Sequence, residues 1–373
     1  MCYYSATLFF VVKNTVFLPI FPRLRLLCKA HPAPYMRGVD DSQADACANN
    51  PPSASVSNRG TIRNQPFMRS EELSAQIEEF QPKHGGAGLW WLTQASWFVK
   101  FPSCSVVIDP WWRDLFAGDM WAKLIGEFPL TPEEYPAPDY VFCTHWHDDH
   151  ICPETLPRMA KAFANTKFII PSRSVDLLIS WGIDAERIIS SNGHRQQSIG
   201  PLSFKAIPAA HMELDFDEDG SSWYVGYVLE CDGVSLYHMG DGKPWPGWHT
   251  AITKAVNSLS AAEDCKSNEG GKKKELNDEP AQLDIALLCI NGNDNLSHIE
   301  AVDLISVVKP KVAIPMHYGM DPDNTVDPLI YHKEVSKRLP DFPCTIPQVG
   351  RALFFENGVL DIPNDPPIIQ EGE

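Results

Sequence analysis

The chain has 373 residues, 44% of them hydrophobic and 21% charged, which is room for one large domain or two small ones. Its formal net charge is −17 and the part expected to fold carries no basic patch, so nucleic acid is excluded as a substrate by repulsion of its phosphates. Ten cysteines lie scattered without paired spacing, and Cys143, Cys231 and Cys289 sit inside apolar runs; they read as reduced, buried thiols of a cytoplasmic protein rather than a disulfide framework.

Residues 1–66 differ from the rest. The segment 1–38 holds Lys13, Arg23, Arg25, Lys29 and Arg37 and no acid, and it has no uninterrupted apolar run of the ~18 residues a membrane span needs. It reads either as an organelle-import peptide or as a segment ahead of a start at Met36 or Met68. Residues 40–65, rich in Ser, Ala, Asn and Pro, are expected to be a disordered linker.

The folded domain is expected over 86–362, with a frayed tail at 363–373. Residues 89–92, 96–100 and 105–109 read as successive antiparallel strands. Asp109, followed by Pro110, reads first as a turn former; its other reading is an acceptor that orients a ligating histidine. Residues 112–138 form a loop rich in aromatics and proline, with Arg113, Trp121 and Phe128, of the kind that lines active sites on a rigid scaffold.

A strand at 139–143 runs into His145-Trp146-His147-Asp148-Asp149-His150. Two histidines at i and i+2 share one side of an extended segment, and a turn would bring Asp149 and His150 to the same point. Neutral imidazole suits zinc, manganese and iron, and a carboxylate suits the harder of these, so the spacing points to a metal site. Helices are expected at 153–164 and 175–181, and strands at 167–170, 187–190 and 203–207. The last of these strands delivers His211 at its end. Residues 213–219 read as a solvated acidic loop. A hairpin over Asp232-Gly233 leads to His238 and then Gly240-Asp241, another acid at a strand end.

Residues 257–282, with Gly-Gly and three consecutive lysines, are expected to be a disordered insertion. A buried strand at 283–290 follows, then Asn291 and Asn295, and then Ser297 with Glu300 as a capping box for a helix ending before Pro310. A strand at 311–315 precedes His317 and Tyr318; a helix at 328–339 and a hairpin over Asn357-Gly358 close the domain. His145, His147, Asp149, His150, His211, Asp241 and His317 thus all follow strands and are enough for two adjacent metals. His238 and Tyr318 are near enough in sequence to donate to a leaving group, although packing is the plainer role for both. Arg113, Lys243, Asn291 and Asn295 lie on loops that could reach a phosphate, although a surface role is plainer for each.

In order and spacing these residues resemble the metallo-β-lactamase superfamily: H-x-H-x-D-H, a distant histidine, Gly-Asp and a last strand-end histidine. The resemblance covers about 89–355. It implies an α/β fold, a four-layer αββα sandwich with two divalent metal ions at one edge. It implies His145, His147 and His211 on one ion, Asp149, His150 and His317 on the other, and Asp241 bridging. Within that superfamily the chain is similar to L-ascorbate-6-phosphate lactonase and its relatives, through Trp90-Trp91-Leu92, Trp97, Val99-Lys100, Ile108-Asp109, Trp111, Trp181-Gly182-Ile183, Glu186-Arg187, Ser235-Leu236-Tyr237-His238 and Gln348-Val349-Gly350. His211 and the insertion at 257–282 depart from the lactonase pattern. The resemblance leans toward manganese and the ligand set toward zinc.

Two metals sharing a water lower its pKa and polarise an acyl or phosphoryl oxygen, with Asp149 and Asp241 holding metal and positioning the nucleophile. The first expectation is therefore a hydrolase of a small sugar-derived lactone or ester, phosphorylated or not. The second is a lipid phosphodiesterase resembling N-acyl-phosphatidylethanolamine phospholipase D, favoured only by the aromatic loop 111–128 and disfavoured by the acidic charge. The third is a metal-bound binding module without turnover. The expected partner is a small-molecule substrate, with no nucleic acid and no membrane; a homo-oligomer stays open.

Overall fold

The computed structural model describes residues 70–114, 123–193, 195–267 and 281–363. The expectations for 1–66, for Trp121 and for the tail after Ile362–Pro363 fall outside them, as does the stretch 268–280. Two sheets face each other. The first has eight strands, taken in spatial order: β14 (Val359–Asp361), β13 (Ala352–Glu356), β1 (Gly86–Thr93), β2 (Ser96–Lys100), β3 (Ser105–Ile108), β4 (Tyr140–Phe142), β5 (Lys167–Pro171) and β6 (Ile188–Ser191). It is antiparallel from β14 to β3 and parallel from β3 to β6. The second has six: β12 (Val312–Met316), β11 (Ile285–Cys289), β10 (Val234–His238), β9 (Val225–Cys231), β8 (Leu202–Pro208) and β7 (Gln196–Ile199). There β10, β11 and β12 are parallel and the remaining pairs antiparallel.

Strand periodicity explains the layering. Along β1, Leu89 and Trp91 enter the large inter-sheet core while Trp90 and Leu92 enter a second core on the opposite face. The same two-residue alternation sends Trp97, Val106 and Phe142 inward and Phe98, Val107 and Val141 outward. A sheet apolar on both faces needs cover on both. The outer face is covered by α1 (Ser70–Glu79), α2 (Leu156–Ala162) and α3 (Val175–Ser180), through Leu73, Ile77, Leu156, Met159 and Leu178. The second sheet carries α4 (Trp248–Ser267), α5 (His298–Val308) and α6 (Pro328–Arg338) through Ile252, Leu259, Ile305, Tyr331 and Val335. The result is the expected αββα sandwich. The Ser297–Glu300 capping box forms as read, and Lys309 ends α5 in a left-handed turn before Pro310.

Three elements depart from the expectation. The polar strand β7, whose residues alternate weakly, has no counterpart among the expected strands. The stretch 257–267 is not disordered insertion but the second half of α4, and Leu259 is fully buried. Its Ser- and Ala-rich sequence lacks a strong apolar stripe, so composition outweighed periodicity in the reading. Ahead of Gly86 stands α1. The Lys100 ammonium donates to the carbonyls of Ile77 (2.8 Å) and Glu78 (2.7 Å) at its C-terminal end, and the Trp90 indole donates to Gln76 (2.9 Å). No helix among the described residues is long and apolar enough to cross a membrane.

If α1 is an integral part of this fold, truncating its buried face is costly. Ile77→Ala is expected to lower the unfolding free energy by about 2–4 kcal/mol in denaturant titration, the range for a large-to-small core substitution.

Candidate metal centre

The C-terminal ends of β4, β8, β10 and β12 meet at one edge of the sandwich, and each hands over a side chain. After β4, the turn closed by the amides of His150 and Ile151 on the His147 carbonyl (2.9 and 2.8 Å) folds Asp149 and His150 back beside His145 and His147. After β8 comes His211, after β10 Asp241, and after β12 His317. Gly240 has φ +62°, and a Cβ there would lie 2.5 Å from the Val225 carbonyl and 3.0 Å from Thr144, so only glycine lets Asp241 into the site. His317 itself is left-handed (φ +65°), held by its amide donating to the Gln94 carbonyl at 2.9 Å.

Seven donors converge in two overlapping groups. His145 Nε2 and His211 Nε2 lie 3.0 and 3.2 Å from His147 Nδ1. His150 Nε2 and His317 Nε2 lie 3.7 and 3.8 Å from Asp149 Oδ2. Asp241 stands between the groups: Oδ1 is 3.5 Å from His150 Nε2, and Oδ2 is 3.2 Å from His317 Nε2 and 3.9 Å from His211 Nε2. Three subsets have their donor atoms all within 4.8 Å of one another: His145–His147–His211, His145–His150–Asp241 and Asp149–His150–His317.

The electrostatics suit cations. Burial holds the His145 imidazole well below its ordinary pKa; burial, with His211 and His150 adding, pushes His147 down to about 4, so both are neutral and present lone pairs. On the other side burial opposes protonation of His150 and His317, but the carboxylates outweigh it: Asp241, Asp109 and Asp149 raise His150, and Asp241 and Asp149 raise His317. Asp241 is pulled well below the carboxylate range; burial opposes this, and His317 and His150 prevail. The pocket therefore selects positive charge. His150 Nε2 and His317 Nε2 are also buried with no hydrogen-bond partner, a costly arrangement for a polar atom unless it coordinates something. Imidazole nitrogens with two carboxylates fit divalent zinc, manganese or iron.

Behind the donors sits a layer that fixes their orientation. Asp109 is fully buried, with φ +46°; its carboxylate accepts from His150 Nδ1 (2.7 Å), the Thr144 amide (2.8 Å) and the Thr144 hydroxyl (2.8 Å). The turn-former reading is thus corrected: Asp109 does bend the chain, but its side chain points inward to hold a histidine. The same Thr144 hydroxyl lies 3.1 Å from His145 Nδ1, and His211 Nδ1 donates to the Asp294 carbonyl (3.0 Å). Each bond leaves the opposite ring nitrogen to face the site.

The other residues singled out divide differently. His238 is buried, donating from Nε2 to the Ala95 carbonyl (2.8 Å) and accepting from the Gly240 amide (3.2 Å); it is a packing residue, its pKa lowered by burial. Tyr318 packs tilted against Trp91 (ring centroids 4.6 Å apart) and donates to the Pro347 carbonyl. Arg113 pairs with Asp148 (3.2 Å) and Glu154 (3.1 Å), and Lys243 with Asp294 (2.5 Å). Asn295 accepts from the Gly242 amide (2.7 Å), bracing the residue after Asp241, while Asn291 donates to Asn324 (2.7 Å). Two neighbours were missed. The buried Cys289 thiol lies 3.1 Å from the Gly240 carbonyl and 3.6 Å from Asp241 Oδ1, and Tyr224 packs its ring 5.4 Å from those of His145 and His211. An apolar strand and a hairpin end gave no signal for either, because both contacts are made between distant segments.

Asp109→Asn keeps the shape but loses the charge that holds His150. Metal affinity is expected to fall about 10–100-fold, measured by competition with a chromophoric chelator, with the circular dichroism spectrum unchanged.

Comparison with known proteins agrees with this geometry. Residues 105–318 match the model of the beta-lactamase superfamily domain. A UPF0173 metal-dependent hydrolase of Archaeoglobus fulgidus is 28% identical over 269 residues, covering 71% of this chain and 97% of the relative. Another from Myxococcus xanthus is 26% identical over 270 residues, covering 70% and 81%. Among solved structures, Igni18, a metallo hydrolase from Ignicoccus hospitalis, superposes with a TM-score of 0.53 at 20% identity, covering 73% of this chain and 99% of that one. An isothiocyanate hydrolase from Delia radicum gut bacteria superposes with a TM-score of 0.51 at 14% identity, covering 71% and 98%. With the family model spanning more than half its length and two sheets delivering their strand-end donors to one edge, the chain belongs to the beta-lactamase superfamily.

Proposed function

We propose that this protein is a metal-dependent hydrolase that opens a small lactone or ester, with two divalent ions, manganese or zinc, held by the seven converging residues. The observation that carries the reading is the position of Asp241, which meets both donor groups: Oδ1 faces His150, and Oδ2 faces His317 of the same group and His211 of the other. Relatives bearing the name metal-dependent hydrolase support the hydrolytic class, and the short motifs read as resembling L-ascorbate-6-phosphate lactonase are the reason for proposing a lactone or ester.

Divalent ions held there would supply a water of near-neutral pKa and polarise the acyl oxygen of the substrate. The chain's own residues do the rest. His145, His147 and His211 would hold one side of the site, His145 and His147 with neutral rings. Asp149, His150 and His317 hold the other. Asp241 reaches both sides, and Asp149 and Asp241 would hold metal and position the nucleophile. Asp109 and Thr144 keep His150 and His145 in one ring orientation, so no rearrangement is needed as charge develops. A binding module without turnover would not need so complete a set.

Elemental analysis of the purified protein beside His147→Ala and Asp241→Ala tests this. About two equivalents of manganese or zinc are expected, with one or both lost in the variants, together with hydrolysis of lactones or esters that falls by at least about 10³-fold. Metal retained in both variants would overturn the ligand assignment. Full metal loading without turnover of any lactone or ester would leave the binding-module reading.

A further inference from the structure

We propose that the substrate is an ester or lactone whose acyl part presents an uncharged apolar face, aryl or alkyl, and that Trp146 with Tyr224 is the surface that recognises it. The inference rests on the hydrolytic reading of the site and adds the substrate class.

Trp146 sits in sequence between two of the donors, His145 and His147, yet it is 45% exposed, while most of the large aromatic side chains among the described residues are buried. Its ring lies 4.5 Å from that of His147. Its indole N–H donates to the Tyr224 hydroxyl at 3.3 Å. The Tyr224 ring in turn lies 5.4 Å from His145, 6.0 Å from His147 and 5.4 Å from His211. Trp146, backed by the buried Tyr224 (6% exposed) through that hydrogen bond, therefore forms a wall beside the three-histidine group. Met212, the residue after His211, is 67% exposed on the same hairpin that ends at Tyr224. That hairpin is tethered: Arg173 lies 3.4 Å over the Trp223 ring and pairs with Asp217, which also accepts from the Trp223 indole. Exposing indole and thioether on an anchored segment costs free energy that a matching ligand surface recovers.

The charges point the same way. Arg113 and Lys243, the cations the sequence offers for a phosphate, are each bonded to carboxylates, and the chain is strongly acidic. An anionic substituent gains nothing from cations already neutralised and is repelled by the net charge. An apolar acyl group lying on Trp146, with its carbonyl directed to the three-histidine side, meets neither obstacle.

Binding of two product-like carboxylates to the metal-loaded protein provides a test that needs no turnover. Titration calorimetry should show phenylacetate binding about tenfold tighter than acetate, the increment expected for covering half an aryl ring's apolar area. Trp146→Ala should remove that preference while leaving metal content and acetate affinity unchanged; Trp146→Phe, which keeps an apolar face, should retain most of it. Equal affinity for the two carboxylates in the unsubstituted protein, or a preference that survives Trp146→Ala, overturns the proposal. A preference present in protein that hydrolyses no ester or lactone would sink the hydrolytic reading and leave the wall as a binding surface.

Discussion

A carboxylate can be buried away from water only when its lone pairs are taken up, and Asp109 meets that condition by joining three parts of the molecule. Its backbone amide donates to Phe142 at the end of β4, its carboxylate accepts from the amide and hydroxyl of Thr144 at the start of the ligand loop, and the oxygen that takes the hydroxyl also holds His150. Because β3 and β4 are paired in parallel, the residue just past β3 lies beside the start of the loop that follows β4. The orientation of the first donor loop is thus set by the sheet rather than by the loop, whose own backbone bonds are few. Remove the charge and the ring of His150 loses its reason to face inward, and the shared Thr144 hydroxyl loses its acceptor.

The metal donors were legible in the sequence because their signal is local. H-x-H-x-D-H needs no partner segment to be recognised, and His211, Asp241 and His317 each follow an apolar run that any strand criterion would find. The strands themselves were legible as apolar runs such as Trp90-Trp91 and Phe98-Val99, while their arrangement in a two-sheet sandwich came from the family resemblance. What could not be read depends on contacts across the chain. Asp109 looks like a turn former because it is one; that its side chain reaches a histidine 41 residues away is visible only once β3 lies beside β4. The Cys289 thiol meets Asp241 because β10 and β11 are neighbours, and the hydrophobic setting that marked it as core is also what hides it. α1 and the second half of α4 were missed for a different reason. Their polar residues outnumber the few, such as Leu73, Ile77 and Leu259, that do the packing, so tertiary burial settles what local propensity leaves open.

The left-handed residues show how the two sheets support the site. Asp109, Gly240 and His317 have φ of +46°, +62° and +65°, and each lies within two residues of the end of a strand that feeds the donor cluster. For Asp109 and His317, which carry a Cβ, such conformations are unfavourable and persist only when the surrounding structure over-determines them. Here β3 is hydrogen-bonded on both sides and β12 is buried against β11, so the sheets offset the strain. A position held so firmly cannot adapt to different substrates. Adaptation is left to the residues that lie between donors or just after them, which no strand end constrains. Trp146 and Met212 are of this kind: their neighbours are locked, while their own side chains face solvent. In a fold whose chemistry is set by strand ends, selectivity is therefore carried by what the sequence places in the gaps of the metal motif, and in this chain that is an indole.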